Sequence, residues 1–180
     1  MYSVEEVQEL YKNDVSLEFL FFSGHQKSYK AAATKSCLSQ WYQCTFEMNN
    51  IRYTCAEQYM MAEKARLFGD EEALKDILKA CHPNQMKLIG KKVRNFDQNI
   101  WDKKKISIVK IGNLAKFSQN PKIKKFLIGT HSKILVKTNE YDPIWGIGLS
   151  KEDENINNPM KWKGQNLLGF ILMDIREIFS

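Results

Sequence analysis

The chain has no C-x-x-C pair, no H-E-x-x-H, no G-x-S-x-G and no Walker-type phosphate loop, and each absence removes a class of chemistry. Its four cysteines (Cys37, Cys44, Cys55, Cys81) and three histidines (His25, His82, His131) lack the close pairing that zinc requires. They read as reduced, structurally passive thiols and as histidines outside any metal site or triad. No apolar run approaches the roughly 20 residues that cross a bilayer. The opening MYSVEEVQELYKND carries acids early and lacks a basic start followed by an apolar stretch, so it does not read as a secretory leader. The expectation is a cytoplasmic protein with no membrane partner and no metal.

What is present fits a globular chain: 180 residues, 43% apolar and 27% charged, enough for one sizeable core and too few for two. No internal repeat or low-complexity linker divides it. Residues 1–180 are therefore expected to form a single domain, with 1–16 an N-terminal extension or short helix. Lys and Arg outnumber Asp and Glu, 27 to 21, leaving a net charge of +6. That balance favours anionic partners, phosphates or nucleic acid, without identifying one.

The patterning predicts a mainly α (α+β) chain. Val4, Val7, Leu10 and Tyr11 mark a short helix, and FLFF at 19–22 reads as a buried strand. SGHQKSYKAAATKSC reads as a surface loop or short irregular helix. TFEM and IRYT flank Asn49-Asn50, a connection suited to a tight hairpin because Asn tolerates positive φ. Beyond residue 54 the periodicity is helical. Asp70 is placed to cap EEALKDILKAC, with Leu74, Ile77, Leu78 and Cys81 on one face. Pro83 starts a segment carrying Met86, Ile89 and Val93. Asp97 opens a longer helix with Ile100, Trp101, Ile108, Ile111, Leu114 and Phe117, and Pro121 begins another that Gly129 ends. ILVKT at 134–138 reads as a strand, and QNLLGFILMDIREIF as an apolar terminal helix.

Between these last two lies YDPIWGIGLSKEDENINNPMKWKG, longer than ordinary connections and too rich in bulky aromatics for a disordered one. Trp145 sits there between residues that cannot cover it locally. It reads either as a core plug or as a platform for a flat ligand, with Gly146 allowing close approach. Asp142 before Pro143 is a turn former or a site residue. Glu57 has two readings as well. Thr54-Cys55-Ala56-Glu57 fits a capping box, yet Glu57 also heads a stripe continuing through Met61, Ala65 and Phe68, with Lys64 at its flank. A carboxylate at a helix N-terminus is chemically reasonable too. Lys91, Lys92, Arg94 and Lys103–Lys105 read as solvated faces or phosphate contacts.

Six stretches in order resemble the NADAR family of YbiA-like N-glycosidases: LSQWYQCTF (38–46), YTCAEQYMMAEKARLFGD (53–70), IGKKVRNFDQNIWD (89–102), LAKFSQNP (114–121), YDPIWGIGLS (141–150) and WKGQNLLGFILMDIRE (162–177). The resemblance covers almost everything from about residue 17. It implies a compact, mostly helical YbiA-like fold with a small β-hairpin and short strands. It also implies hydrolysis of a ribose–base N-glycosidic bond, with no metal or redox cofactor. The implied substrate is a ribosylated or ADP-ribosylated nucleotide: ADP-ribosyl-guanine in DNA or RNA, or a ribosylaminopyrimidine phosphate of riboflavin synthesis. A non-catalytic ADP-ribose or nucleotide reader is the alternative. By position the resemblance assigns catalysis to Glu57, Asp142 and Trp145. It assigns substrate binding to Ser39, Trp41, Tyr59, Lys64, Lys91, Arg94, Trp101, Gly146 and Asn166. Ile147 stands where some members carry an acid, and the loop at 23–37 is longer than in the smallest members.

Overall fold

The computed structural model describes residues 2–26 and 33–180. Among these residues seven α-helices and four short strands follow one another: α1 (Val4–Lys12), β1 (Phe19–Phe22), β2 (Phe46–Met48), β3 (Ile51–Tyr53), α2 (Ala56–Leu67), α3 (Glu71–Lys79), α4 (Pro83–Gly90), α5 (Gln98–Ser118), α6 (Pro121–Ile128), β4 (Ile134–Lys137) and α7 (Leu167–Phe179). The architecture is the mainly helical α+β one that the patterning implies. β1 pairs with β4 in parallel, Phe19 opposite Ile134 and Phe22 opposite Lys137. β2 and β3 form the hairpin, and its two asparagines take φ values of 52° and 61°. Two successive positive φ angles give the turn whose twist matches paired strands.

The helices begin where the sequence supplies caps. Ser3 and Glu6 make a reciprocal capping box on α1. Asp70 accepts from the Ala73 N–H to cap α3, and Asp97 does the same for α5 through Ile100. Pro83 and Pro121 open α4 and α6. α2 runs through the middle, with Ala56, Gln58, Tyr59, Met60, Met61, Ala62 and Ala65 all buried. A helix buried on most sides needs its polar groups answered from outside. Gln58 supplies that for a neighbour, its amide donating to the carbonyls of Ile77 and Leu78 at 3.0 and 3.2 Å, the open C-terminal end of α3.

Three local expectations are corrected. The capping box at 54–57 does not form: the N-cap is Cys55, without a side-chain bond. Gln58 instead accepts from the Thr54 N–H at 2.8 Å and the Thr54 hydroxyl at 3.1 Å, one residue later than expected, which frees Glu57. In α5 the buried side carries Lys105, Val109, Gly112, Asn113 and Lys116 beside Phe117, while Ile100 and Ile111 are exposed. The carbonyls of Cys37 and Ser39 answer Lys116, the Gln40 side-chain oxygen answers Asn113, and Lys105 bonds Asp102 of its own helix, which is how polar residues are accommodated on the inner face. Cys81, expected on the inner face of α3, is exposed beyond its end. Residues 27–32 of the expected surface loop lie outside the described residues; Lys35–Leu38 form a short 3-10 turn.

Candidate active site

A cleft of about 830 Å³ opens at the carboxyl ends of β1 and β4, the place where parallel strands commonly present ligand sites. One wall is the first two turns of α2. Glu57, Met60, Met61 and Lys64 all line it because three- and four-residue steps share a helix face. From Glu57 to Lys64 that wall runs roughly 10 Å at 1.5 Å per residue. Facing it are the turn with Ser39, Gln40 and Trp41, then Lys87 and Gly90 of α4 and Lys91, which caps its end. The wall is completed by Phe96, Gln98 and Trp101 around the start of α5, by Lys137 at the end of β4, and by Asp142 and Trp145 in the loop beyond it.

Glu57 is buried, with only 4% of its surface exposed. Its backbone N–H donates to the Gln40 carbonyl at 3.0 Å. Burial pushes the carboxyl pKa up to about 7. The ammoniums of Lys137 and Lys87 and a hydrogen bond from the Trp41 side chain oppose that rise, and Asp142 adds to it. The result is a carboxyl whose ionised form survives near neutrality only through two lysines and one indole. Asp142 is fully engaged: one oxygen accepts from the Lys137 ammonium and the other from the Trp145 N–H at 3.0 Å. It thereby fixes Lys137 and the turn that carries Trp145.

The far end of the cleft has another character. Lys64 donates to the Gly90 carbonyl at 2.8 Å and lies 4.1 Å from the Phe96 ring centre and 5.6 Å from that of Trp101. Burial lowers its pKa, and the ring faces favour its cation. Trp41 is flanked by His25, ring centres 5.4 Å apart, and by the Lys87 ammonium at 5.9 Å. Flat aromatic surfaces alternating with ammoniums suit a ligand of rings and phosphates.

The loop bearing Asp142 and Trp145 is fastened by its backbone. The carbonyls of residues 143 to 147 accept, in turn, from the N–H groups of Gln165, Leu167, Leu168, Asn166 and Lys163, at 2.8 to 3.2 Å. Three of those donors belong to the cap and first turn of α7.

Of the residues the sequence singled out, Glu57, Asp142, Trp145, Ser39, Trp41, Lys64, Lys91 and Trp101 line this one cleft. Four do not. Tyr59 points into the core, edge-on to Tyr53 at 5.2 Å between centres; a Cβ on Gly112 would lie 2.4 Å from its ring, so α5 closes over it. Arg94 faces solvent and bonds Asp70 at 2.7 Å and Glu72 at 3.3 Å. Gly146 meets backbone rather than ligand, since an added Cβ would come 2.8 Å from the Lys137 carbonyl. Asn166 is fully buried; at φ 51° it accepts from the Lys137 N–H and donates to the Leu135 carbonyl, both at 2.9 Å. Lys87 and Lys137 were not foreseen. The first had a signal, one helical turn before Lys91, and the second stood at the C-terminal end of a predicted strand.

The α+β fold matches one already seen in solution: the NMR structure of the Escherichia coli protein YbiA superposes with a TM-score of 0.70, covering 90% of this chain and 84% of that one at 23% identity. Residues 21–180 match the NADAR domain, and the chain belongs to that family. N-glycosidase R617 of Acanthamoeba polyphaga mimivirus is 44% identical over 166 residues, 89% of this chain and 95% of its own. Protein irg-1 of Caenorhabditis elegans is 39% identical over 129 residues, 71% of this chain and 61% of its own. Helix α1 lies outside the matched domain. Among the described residues, no helix is long and apolar enough to cross a membrane.

Proposed function

We propose that this member of the family cuts the ribose–base bond of a ribosylated or ADP-ribosylated nucleotide, with Glu57 as its catalytic carboxylate. The enzyme is a hydrolase acting on N-glycosyl bonds, as its kinship with N-glycosidase R617 supports. The observation that carries the role of Glu57 is its position: a buried carboxyl, poised near neutrality, in the wall of a cleft lined by aromatic rings and ammoniums.

Breaking such a bond leaves a positively charged, oxocarbenium-like ribose and a base that departs with the bonding electron pair. Glu57 in its ionised form stabilises that carbon and takes a proton from the water attacking it. A carboxylate with a pKa near 7 is a stronger base than an ordinary one. The proton that Glu57 takes from the water is passed on to the departing nitrogen, which returns Glu57 to its ionised form, and the products are the free base and a ribose bearing a new hydroxyl. Trp145, held by Asp142, stacks on the base and excludes competing water. Lys137, Lys87, Lys64 and Lys91 receive the phosphates. The chemistry asks for no metal and no redox group. Nucleic acid carrying ADP-ribose is one form the substrate can take.

The test is mass spectrometry of products from wild type and Glu57→Gln. Two substrates are supplied: DNA carrying ADP-ribosylated guanosine, and the ribosylaminopyrimidine phosphates of riboflavin synthesis. Base release by the wild type and its loss by orders of magnitude in a folded Glu57→Gln is the expected result. Equal turnover in the two removes Glu57 from the mechanism. Recovery of ADP-ribose bound but uncut, with neither substrate consumed, replaces the reading with that of a non-catalytic binding module.

A further inference from the structure

Lys116 is the odd residue of α5: a lysine with no exposed surface whose partners are carbonyls rather than a carboxylate. Its ammonium donates to the Cys37 carbonyl at 2.7 Å and the Ser39 carbonyl at 2.8 Å, and lies 5.0 Å from the Phe117 ring centre and 5.9 Å from that of Tyr42. A buried ammonium is costly unless its protons are answered, so a lysine kept here argues for what its bonds hold in place. They hold a turn. The Ser39 carbonyl also receives the Tyr42 N–H at 3.2 Å, and the Ser39 hydroxyl receives the Trp41 N–H at 3.2 Å. The next residue, Gln40, is gripped by the same helix: Asn113 donates to its side-chain oxygen at 2.6 Å. Its carbonyl in turn receives the Glu57 N–H. Trp41, third residue of this turn, lines the same cleft as Glu57, and its side chain is among the groups that hold the Glu57 pKa down.

We propose that Lys116 is a positioning residue: from inside α5 it fixes the turn at 39–42, and with it the placement of Gln40 and Trp41 beside Glu57 in the cleft. Lys116 never reaches the cleft and acts only through that turn. The proposal rests on Glu57 as the working carboxylate, but its test does not depend on turnover. The groups that face Lys116 are Cys37, Cys44, Cys55 and the Tyr42 ring. Those that face Glu57 are Lys137, Lys87, Asp142 and Trp41.

The indole N–H resonance of Trp41, identified by its disappearance in Trp41→Phe, reports the charge on Glu57 from the same cleft. In the wild-type protein it is expected to titrate with a midpoint near 7, and in Glu57→Gln not to titrate. In Lys116→Met, of similar shape and without the ammonium, the midpoint is expected to rise by at least half a pH unit or the titration to vanish. The control is Lys105→Met, which removes another buried α5 lysine, bonded to Asp102; there the midpoint should stay. An unchanged midpoint in Lys116→Met overturns the proposal. So does an equal shift in both lysine variants, which would mean general loosening, and so does a wild-type resonance that never titrates. Should Lys116→Met fail to fold, Asn113→Leu removes the second anchor from the same helix and is judged by the same outcomes. With a cleaved substrate in hand, kcat is expected to fall about tenfold in Lys116→Met with KM within twofold, and Trp41→Phe/Lys116→Met to be no slower than Trp41→Phe. Wild type that cleaves neither substrate would sink the glycosidase reading and leave this titration untouched.

Discussion

Replacing Glu57 by glutamine should abolish turnover and, above neutrality, make the protein more stable. Glutamine keeps the size of the side chain and an oxygen for the Trp41 indole, and it removes the buried charge. The carboxyl pKa rises from 4.5 to about 7 on folding. At ~1.4 kcal/mol for each tenfold change in proton affinity, ionised Glu57 destabilises the fold by about 3 kcal/mol. The sign follows from proton binding: a carboxyl with a raised folded pKa holds its proton more tightly when folded. Stability therefore declines as pH climbs from about 4.5 to about 7, and is level above. Since ~1 kcal/mol moves Tm by roughly 2–4 °C in a chain of this size, Glu57→Gln should melt several degrees above wild type at pH 8.5. That advantage should disappear at pH 4. Thermal unfolding followed by circular dichroism across that range checks it. A Tm difference that does not change with pH would refute the reasoning, because it would mean that the Glu57 carboxyl is not desolvated by the fold.

The site yields other expectations. Lys137→Met removes the main charge holding the Glu57 pKa down, so the acid limb of the kcat profile should move to higher pH, with KM for a phosphorylated substrate rising; an unmoved limb in a folded variant contradicts the assigned electrostatics. Trp145→Ala should raise KM about 10- to 100-fold, matching the ~1–3 kcal/mol of a base–aromatic stack, while Trp145→Phe recovers most of it; equal losses in both would rule out stacking. Gly146→Ala forces a Cβ onto the Lys137 carbonyl and should destabilise the protein by ~1–3 kcal/mol, measured by urea unfolding. Arg94→Ala, outside the cleft, should leave kcat and KM as they are; a clear rise in KM would bring Arg94 back to the substrate.

Much of the fold could be read from local chemistry. The two asparagines fixed the hairpin, and Asp70, Asp97, Pro83 and Pro121 marked helix starts, because turns and caps depend on a few adjacent residues. α5 could not be read this way. Its polar inner face exists because distant carbonyls at Cys37 and Ser39 needed a donor, and periodicity knows nothing of partners 77 and 79 residues away. The site divides along the same line. Glu57 and Trp145 stood out because each was locally anomalous. Tyr59 and Asn166 sat within equally suggestive motifs, yet packing turned one into the core and tied the other to β4. Lys137 escaped notice because a lysine ending a strand is unremarkable until the loop folds back over it.

The fastening of residues 143–147 to the start of α7 makes the cleft's loop a poor lid. Five consecutive carbonyls there are occupied by N–H groups leading into an apolar helix of the core. Swinging Trp145 away would strip the first turn of α7 and expose buried Leu167 and Leu168. Substrate must therefore enter past the opposite side of the cleft, and amide exchange in this loop should be as slow as in the helix that anchors it.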